Sequence, residues 1–154
     1  MTVFMGSIQH LLHKERNPED HHLLEMADQS AERLRLLIED ILDFSRIESG
    51  KMTIESICFD LPGLIYDSLE PFRARIAGSA VELLVRIEPA LARWQMGDPA
   101  RLRQILTNLV GNAVKFTEQG SIRVSVENRS GDVRLFKVRE TGTGIPEDKQ
   151  RRLF

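Results

Sequence analysis

From Glu19 to Ser49 the sequence contains neither proline nor glycine, an uninterrupted stretch long enough for about eight turns of helix. Its start is well marked. Asn17 suits an N-cap, Pro18 the first helical position, and Glu19 and Asp20 the positive end of the helix. Ala27, Ser30, Leu34, Leu37, Ile41 and Phe44 step by three and four residues, a heptad seam, and Leu23, Leu36, Ile38 and Leu42 widen it. A stripe that broad points to a helical bundle rather than a two-stranded zipper. Phe4, Ile8 and Leu11 lie on one side of the upstream segment 2–13, which reads as the stub of an antiparallel partner helix. Two helices cannot bury so wide a stripe, so a second copy of the chain is the natural partner; the competing reading is a helix packed on its own domain. Gly50 provides a C-cap.

Composition narrows the class. The chain of 154 residues is 42% hydrophobic and 29% charged, as soluble globular proteins are. A net charge of −2 gives no overall drive toward nucleic acid or an anionic membrane. Cys58 is the single cysteine, which excludes an internal disulfide and suits a reduced, cytosolic setting. No apolar run reaches membrane-spanning length, so no direct membrane insertion is expected of this segment.

The remainder reads as a layered α/β unit. "MTIESICFD" is a strand, and Asp60 caps a helix carrying Leu61, Leu64, Ile65, Leu69, Phe72 and Ile76 near helical period. "AVELLVRIEP" is a second strand, "ALARWQMG" a loop, and Asp98-Pro99 opens another helix. "SIRVSVEN" and "VRLFKVRE" form a hairpin around "RSGD". There is no internal repeat and no low-complexity segment.

In "DPARLRQILTNLVGNAVKFTEQG", Leu102, Ile105, Leu106, Leu109, Ala113 and Phe116 are expected to cover one broad side, and Arg101, Gln104, Asn108, Asn112 and Lys115 a narrow stripe elsewhere. The stripe is either a solvated face or a ligand face. Asparagine is a mediocre helix former, because its carboxamide competes for backbone hydrogen bonds. Two of them one turn apart therefore favour the ligand reading. A carboxamide oxygen is a hard, neutral donor suited to Mg²⁺, and a lysine one turn on can meet phosphate. Downstream, Phe136, Val138 and Glu140 alternate onto one face of a strand that enters "ETGTGIP". Gly142 and Gly144 permit backbone angles and close approach that other residues resist. A carboxylate at the strand end can accept a hydrogen bond from an exocyclic amine such as that of adenine.

Together these segments resemble the sensor histidine kinases, within a superfamily that includes gyrase-type and heat-shock-chaperone ATPases. "DPARLRQILTNLVGNAVKFT" is similar to the N box, "VRETGTGIP" to the first glycine box, and "LIEDILDFSRIESGKM" to the second dimerisation helix and its connection. The resemblance implies an α+β fold, with a helical hairpin dimerisation segment over 1–50 and a two-layer α/β ATP-binding sandwich over 51–154. It also implies Mg²⁺ at Asn112, and phosphates along Asn108 and Lys115. Glu140 would stand at the adenine amine, Gly142 and Gly144 would line the pocket, and Ile145 would begin the lid. The implied cofactors are ATP and Mg²⁺. The implied activity moves the γ-phosphoryl of ATP to a histidine, and then to an aspartate on a response-regulator receiver domain.

Three departures qualify that picture. No histidine here stands in an acceptor box: His10, His13, His21 and His22 each lack a following acid and read as solvated residues. Glu140 stands where the family carries aspartate, extending the carboxylate by about 1.5 Å. The sequence ends at "RRLF", inside the lid, with no second glycine box. The chain alone is therefore expected to bind ATP weakly or not at all and not to phosphorylate itself. A non-catalytic dimerisation scaffold derived from a kinase core is the alternative.

Overall fold

A computed structural model describes residues 11, 17–131 and 133–144, in two compact units divided between Thr53 and Ile54. The fold is α+β: a long helix in the first unit, and two helices with a three-stranded sheet and a two-stranded ribbon in the second.

The first unit is built on helix α1, Pro18–Glu48. At its start Asn17 is oriented by its side-chain amide, which donates to Asp20 at 3.0 Å. Arg35 bridges Glu32 one turn back and Glu39 one turn ahead, pairing opposite charges along one edge of the helix. Leu34, Leu37, Ile41 and Phe44 of the heptad seam are all exposed. The expected partner helix over 2–13 lies outside the described residues, apart from Leu11.

In the second unit the order is β1 (Ile57–Asp60), α2 (Leu61–Ile76), β2 (Ala80–Ile87), β3 (Trp94–Gly97), α3 (Pro99–Phe116), β4 (Gln119–Ser130) and β5 (Val133–Glu140). Strands β2, β4 and β5 form a sheet in that spatial order, β2 parallel to β4 and β5 antiparallel to it. The β2 to β4 connection carries α3, as a parallel pair requires. Strands β1 and β3 make a separate antiparallel ribbon, with Cys58 opposite Met96.

The stretch expected to be a loop, Ala90 to Gly97, thus contains a strand. A short β1 needs partners for its backbone groups, and Trp94–Gly97 supplies them. The strand expected from Met52 starts only at Ile57. Ahead of it, the Glu55 N–H donates to the Asp98 carboxylate at 3.2 Å instead of to a neighbouring strand.

Alternation along the sheet sorts inside from outside. Ile122, Val124 and Val126 of β4 are fully buried, and Leu83, Val85, Ile87, Phe136 and Val138 flank them. Over that face lie Leu61, Leu64, Ile65 and Leu69 of α2, with Leu106 and Val110 of α3. Each such side chain contributes roughly 1.5–3 kcal/mol on leaving water. The two helices meet where Gly111 of α3 faces the Phe72 ring of α2; a β-carbon there would sit 3.5 Å from the ring, an ordinary contact.

Candidate functional site

Helix α3 carries most of the candidate residues, and its start is fixed by one carboxylate. Asp98 accepts from the Arg101 N–H at 3.0 Å while its other oxygen holds the Glu55 N–H. Those two backbone donors, Arg101 first, keep the Asp98 carboxyl below the usual carboxylate range.

The helix has two faces, placed differently from expectation. Leu106, Val110 and Ala113 are buried, with Leu102 and Val114 partly so. Ile105, Leu109 and Phe116, expected inside, are 55%, 46% and 48% exposed. At about 100° per residue they lie only 60–100° from Asn108, whereas the arc facing the sheet is centred about 160° away. The outward half of α3 is therefore a composite: Asn108, Asn112 and Lys115 along one edge, and Ile105, Leu109 and Phe116 beside them. Asn108 and Asn112 are exposed, and among the described residues neither carboxamide has a hydrogen-bond partner. Lys115 is exposed as well, its ammonium 5.2 Å from the centre of the Phe116 ring.

The glycine segment is bound to the far end of the same helix. Thr141 continues the β4–β5 ladder, its N–H donating to the Ser121 carbonyl at 3.1 Å and its hydroxyl accepting from the Ser121 N–H at 3.0 Å. Two residues on, the Thr143 N–H donates to the Phe116 carbonyl at 3.4 Å. Gly142 lies between these ties, where a β-carbon would overlap the Phe116 carbonyl oxygen. The two glycines act differently. Gly144 has φ +66° with open space around it, so it supplies a backbone angle; Gly142 supplies room. Thr117, missed in the sequence reading, caps α3 against Gly142. It is 4% exposed, and its hydroxyl is buried with no partner among the described residues. A β-branched polar residue just past a helical pattern was the available signal.

Glu140 ends β5 opposite Ile122, on the face shared with Phe136 and Val138, which is the face α3 covers. It is half-buried, and among the described residues its carboxylate makes no hydrogen bond or ion pair. Ile145 lies outside the described residues. A concavity of about 250 Å³ beside the glycine segment is lined by Phe116, Glu118, Gln119, Thr141, Gly142 and Thr143. It takes in Gly142 but none of Asn108, Asn112 or Glu140.

The donor set bears on a metal. No group of three or more His, Cys, Asp or Glu side chains converges among the described residues. An all-protein cage is therefore not what these residues offer. A single unspent carboxamide oxygen at Asn112 does fit Mg²⁺, which keeps several waters and takes further oxygens from a bound phosphate.

Two family models match the sequence. Residues 1–50 match the His Kinase A (phospho-acceptor) domain, and residues 97–154 the histidine kinase-, DNA gyrase B- and HSP90-like ATPase. The chain is 39% identical over 154 residues to the signal transduction histidine-protein kinase BarA of Escherichia coli K12, an alignment covering 97% of this chain and 17% of that protein. Among solved structures, full-length ShkA in complex with AMPPNP superposes with a TM-score of 0.75 at 28% identity, over 94% of this chain and 31% of that one. The histidine kinase ThkA, crystallised with the response regulator TrrA, shares the fold with a TM-score of 0.64 at 22% identity, over 99% and 45% of the two chains. The chain spans about a sixth of the length of BarA.

Proposed function

Because this chain belongs to the sensor histidine kinase family, with an ATPase-type domain of the kind that binds ATP, we propose that it is the dimerising and nucleotide-binding part of such a kinase. In this reading ATP with Mg²⁺ lies along the outward half of α3. The γ-phosphoryl passes to a histidine of the dimerisation bundle and then to an aspartate on a response-regulator receiver domain. The domains divide as 1–50 for dimerisation and phosphotransfer and 51–154 for nucleotide binding. ATP as donor puts the segment on the cytoplasmic side, and no described helix is long and apolar enough to cross a membrane.

One observation carries the reading: two unspent carboxamides one turn apart, with an ammonium beyond them, on a helix whose end is tied to the glycine segment. Bound Mg²⁺ would neutralise phosphate charge and would be held from the protein side by the Asn112 oxygen. Asn108 donates to phosphate oxygens, and Lys115 adds positive charge one turn on. Ile105, Leu109 and Phe116 give the apolar half of the face, which excludes water once covered. Glu140, half-buried and without a partner among the described residues, accepts from the adenine amine through its longer side chain.

The test is a titration with Mg-ATP followed by amide NMR, which detects weak binding. Shifts are expected on α3 from Asn108 to Phe116 and on Thr141 to Gly144. Asn112→Ala should weaken binding about tenfold or more, the value of one hydrogen bond to a charged group. Shifts confined to other elements, or an Asn112→Ala variant that binds unchanged, would remove the basis for the assignment.

A further inference from the structure

The outer face of the three-stranded sheet, opposite α3, is unusually cationic. Register puts Arg123 of β4 directly across from Arg139 of β5, and in the next row on that face Ser125 lies between Arg86 of β2 and Lys137 of β5. Four cations thus fall within two adjacent rows, roughly 10 Å across the strands by 7 Å along them. Like charges directly opposite each other destabilise a sheet, so the Arg123–Arg139 pair is a cost the fold carries unless an anion joins it.

The acids nearby cancel it only in part, leaving the Arg123–Arg139 pair unmatched. Glu127 is committed to Lys137 at 2.6 Å, and this pairing holds its carboxyl below the usual carboxylate range. Glu82 lies on the same face beyond Arg123, in the row of Ser121. Among the described residues, neither Arg123 nor Arg139 has a hydrogen-bonded or ion-paired partner. The face is also concave: Arg86, Arg123, Ser125, Glu127, Lys137 and Arg139 line a hollow of about 170 Å³. Ser125, at its centre, is only 7% exposed, so its hydroxyl sits at the floor among the cations.

We propose that this hollow is an anion site, separate from the α3 face, that takes a compact phosphate-type polyanion between Arg123, Arg139, Arg86 and Lys137. Guanidinium forks match phosphate oxygens two at a time, and a hydroxyl at the floor adds a donor of no charge. A carboxylate-rich peptide would present charges too widely spaced for a hollow this size.

The probe is pyrophosphate in magnesium-free, low-salt buffer, read by amide NMR. Shifts are expected on the outward residues of β4 and β5, and they should weaken as salt screens the charges. Arg123→Gln with Arg139→Gln should reduce affinity at least tenfold, while Asn112→Ala leaves it unchanged. The double variant should melt no lower than the parent, since it removes a repulsion. Three results would overturn the site: no shifts on β4 and β5, an unaffected double variant, or loss on Asn112→Ala. An oligo-glutamate peptide binding as tightly as pyrophosphate would also overturn it, assigning the face to acidic proteins.

Discussion

The carbonyl of Phe116 occupies the space that a side chain on Gly142 would need, and the neighbouring Thr143 N–H donates to that same oxygen. The end of the amide-bearing helix and the glycine segment are thus joined through backbone, which a side-chain substitution elsewhere cannot loosen. Gly142→Ala must push one main chain off the other. We expect it to cost about 1–3 kcal/mol in thermal unfolding and to abolish the Mg-ATP shifts at Thr141 to Gly144. Gly144→Ala meets no neighbour among the described residues, and its expected cost is that of the left-handed angle, roughly 1 kcal/mol. Equal effects from the two would contradict the division of roles between them.

Thr117 offers the opposite sign. Its hydroxyl is buried and lacks a partner among the described residues, so it carries a desolvation cost with nothing returned. Thr117→Val keeps the shape and deletes the polar atom. It should leave stability unchanged or raise it by about 1 kcal/mol in denaturant unfolding. A drop of that size would reveal a hydrogen bond made by the hydroxyl.

Acid should unfold the second unit through its caps. Asp60 is held below the usual carboxylate range by hydrogen bonds from Arg93 and then from the Gly63 N–H, and Asp98 by the Arg101 and Glu55 N–H groups. A depressed folded pKa means the stabilisation is complete above the unfolded value, near pH 4, and is lost as pH falls through the folded value. Both carboxylates are solvent-screened, which keeps each contribution modest. The melting temperature is therefore expected to be flat from pH 7 to about 5 and to fall below about 4. Asp98→Asn retains an oxygen able to cap but loses the charge. It should fold at neutral pH with a shallower acid slope, and an unchanged slope would exclude Asp98 as a contributor.

Much of this architecture was legible in the residues, and the misses have definite causes. The starts at Asp60 and at Asp98-Pro99 were readable because capping chemistry is local. β3 was not, because Trp94–Gly97 becomes a strand only by pairing with β1, a contact far away in sequence. On α3 the apolar pattern was readable but its orientation was not. Ile105, Leu109 and Phe116 count as core by composition, yet Leu106, Val110 and Ala113 are the residues buried. Periodicity gives the width of an apolar arc and not which part of it a neighbour covers. The roles of Gly142 and Gly144 look alike as letters and differ only once the Phe116 carbonyl is located.

The last prediction concerns α1. Ile41 and Phe44 are 67% and 66% exposed, with Leu34 and Leu37 behind them on the same seam. A helix with such a stripe is stabilised mainly by covering it, since isolated helices are marginal in water. If a second copy provides the cover, Ile41→Glu with Phe44→Glu puts four charges into one symmetric interface. Each lost apolar contact is worth roughly 1.5–3 kcal/mol, so the dimer should weaken by at least about a hundredfold. Sedimentation at tens of micromolar should then show a dimer for the parent chain and a monomer for the variant. Glu39→Gln, on an edge already paired to Arg35, should leave the association intact. A parent chain that sediments as a monomer would place the cover elsewhere in the same polypeptide.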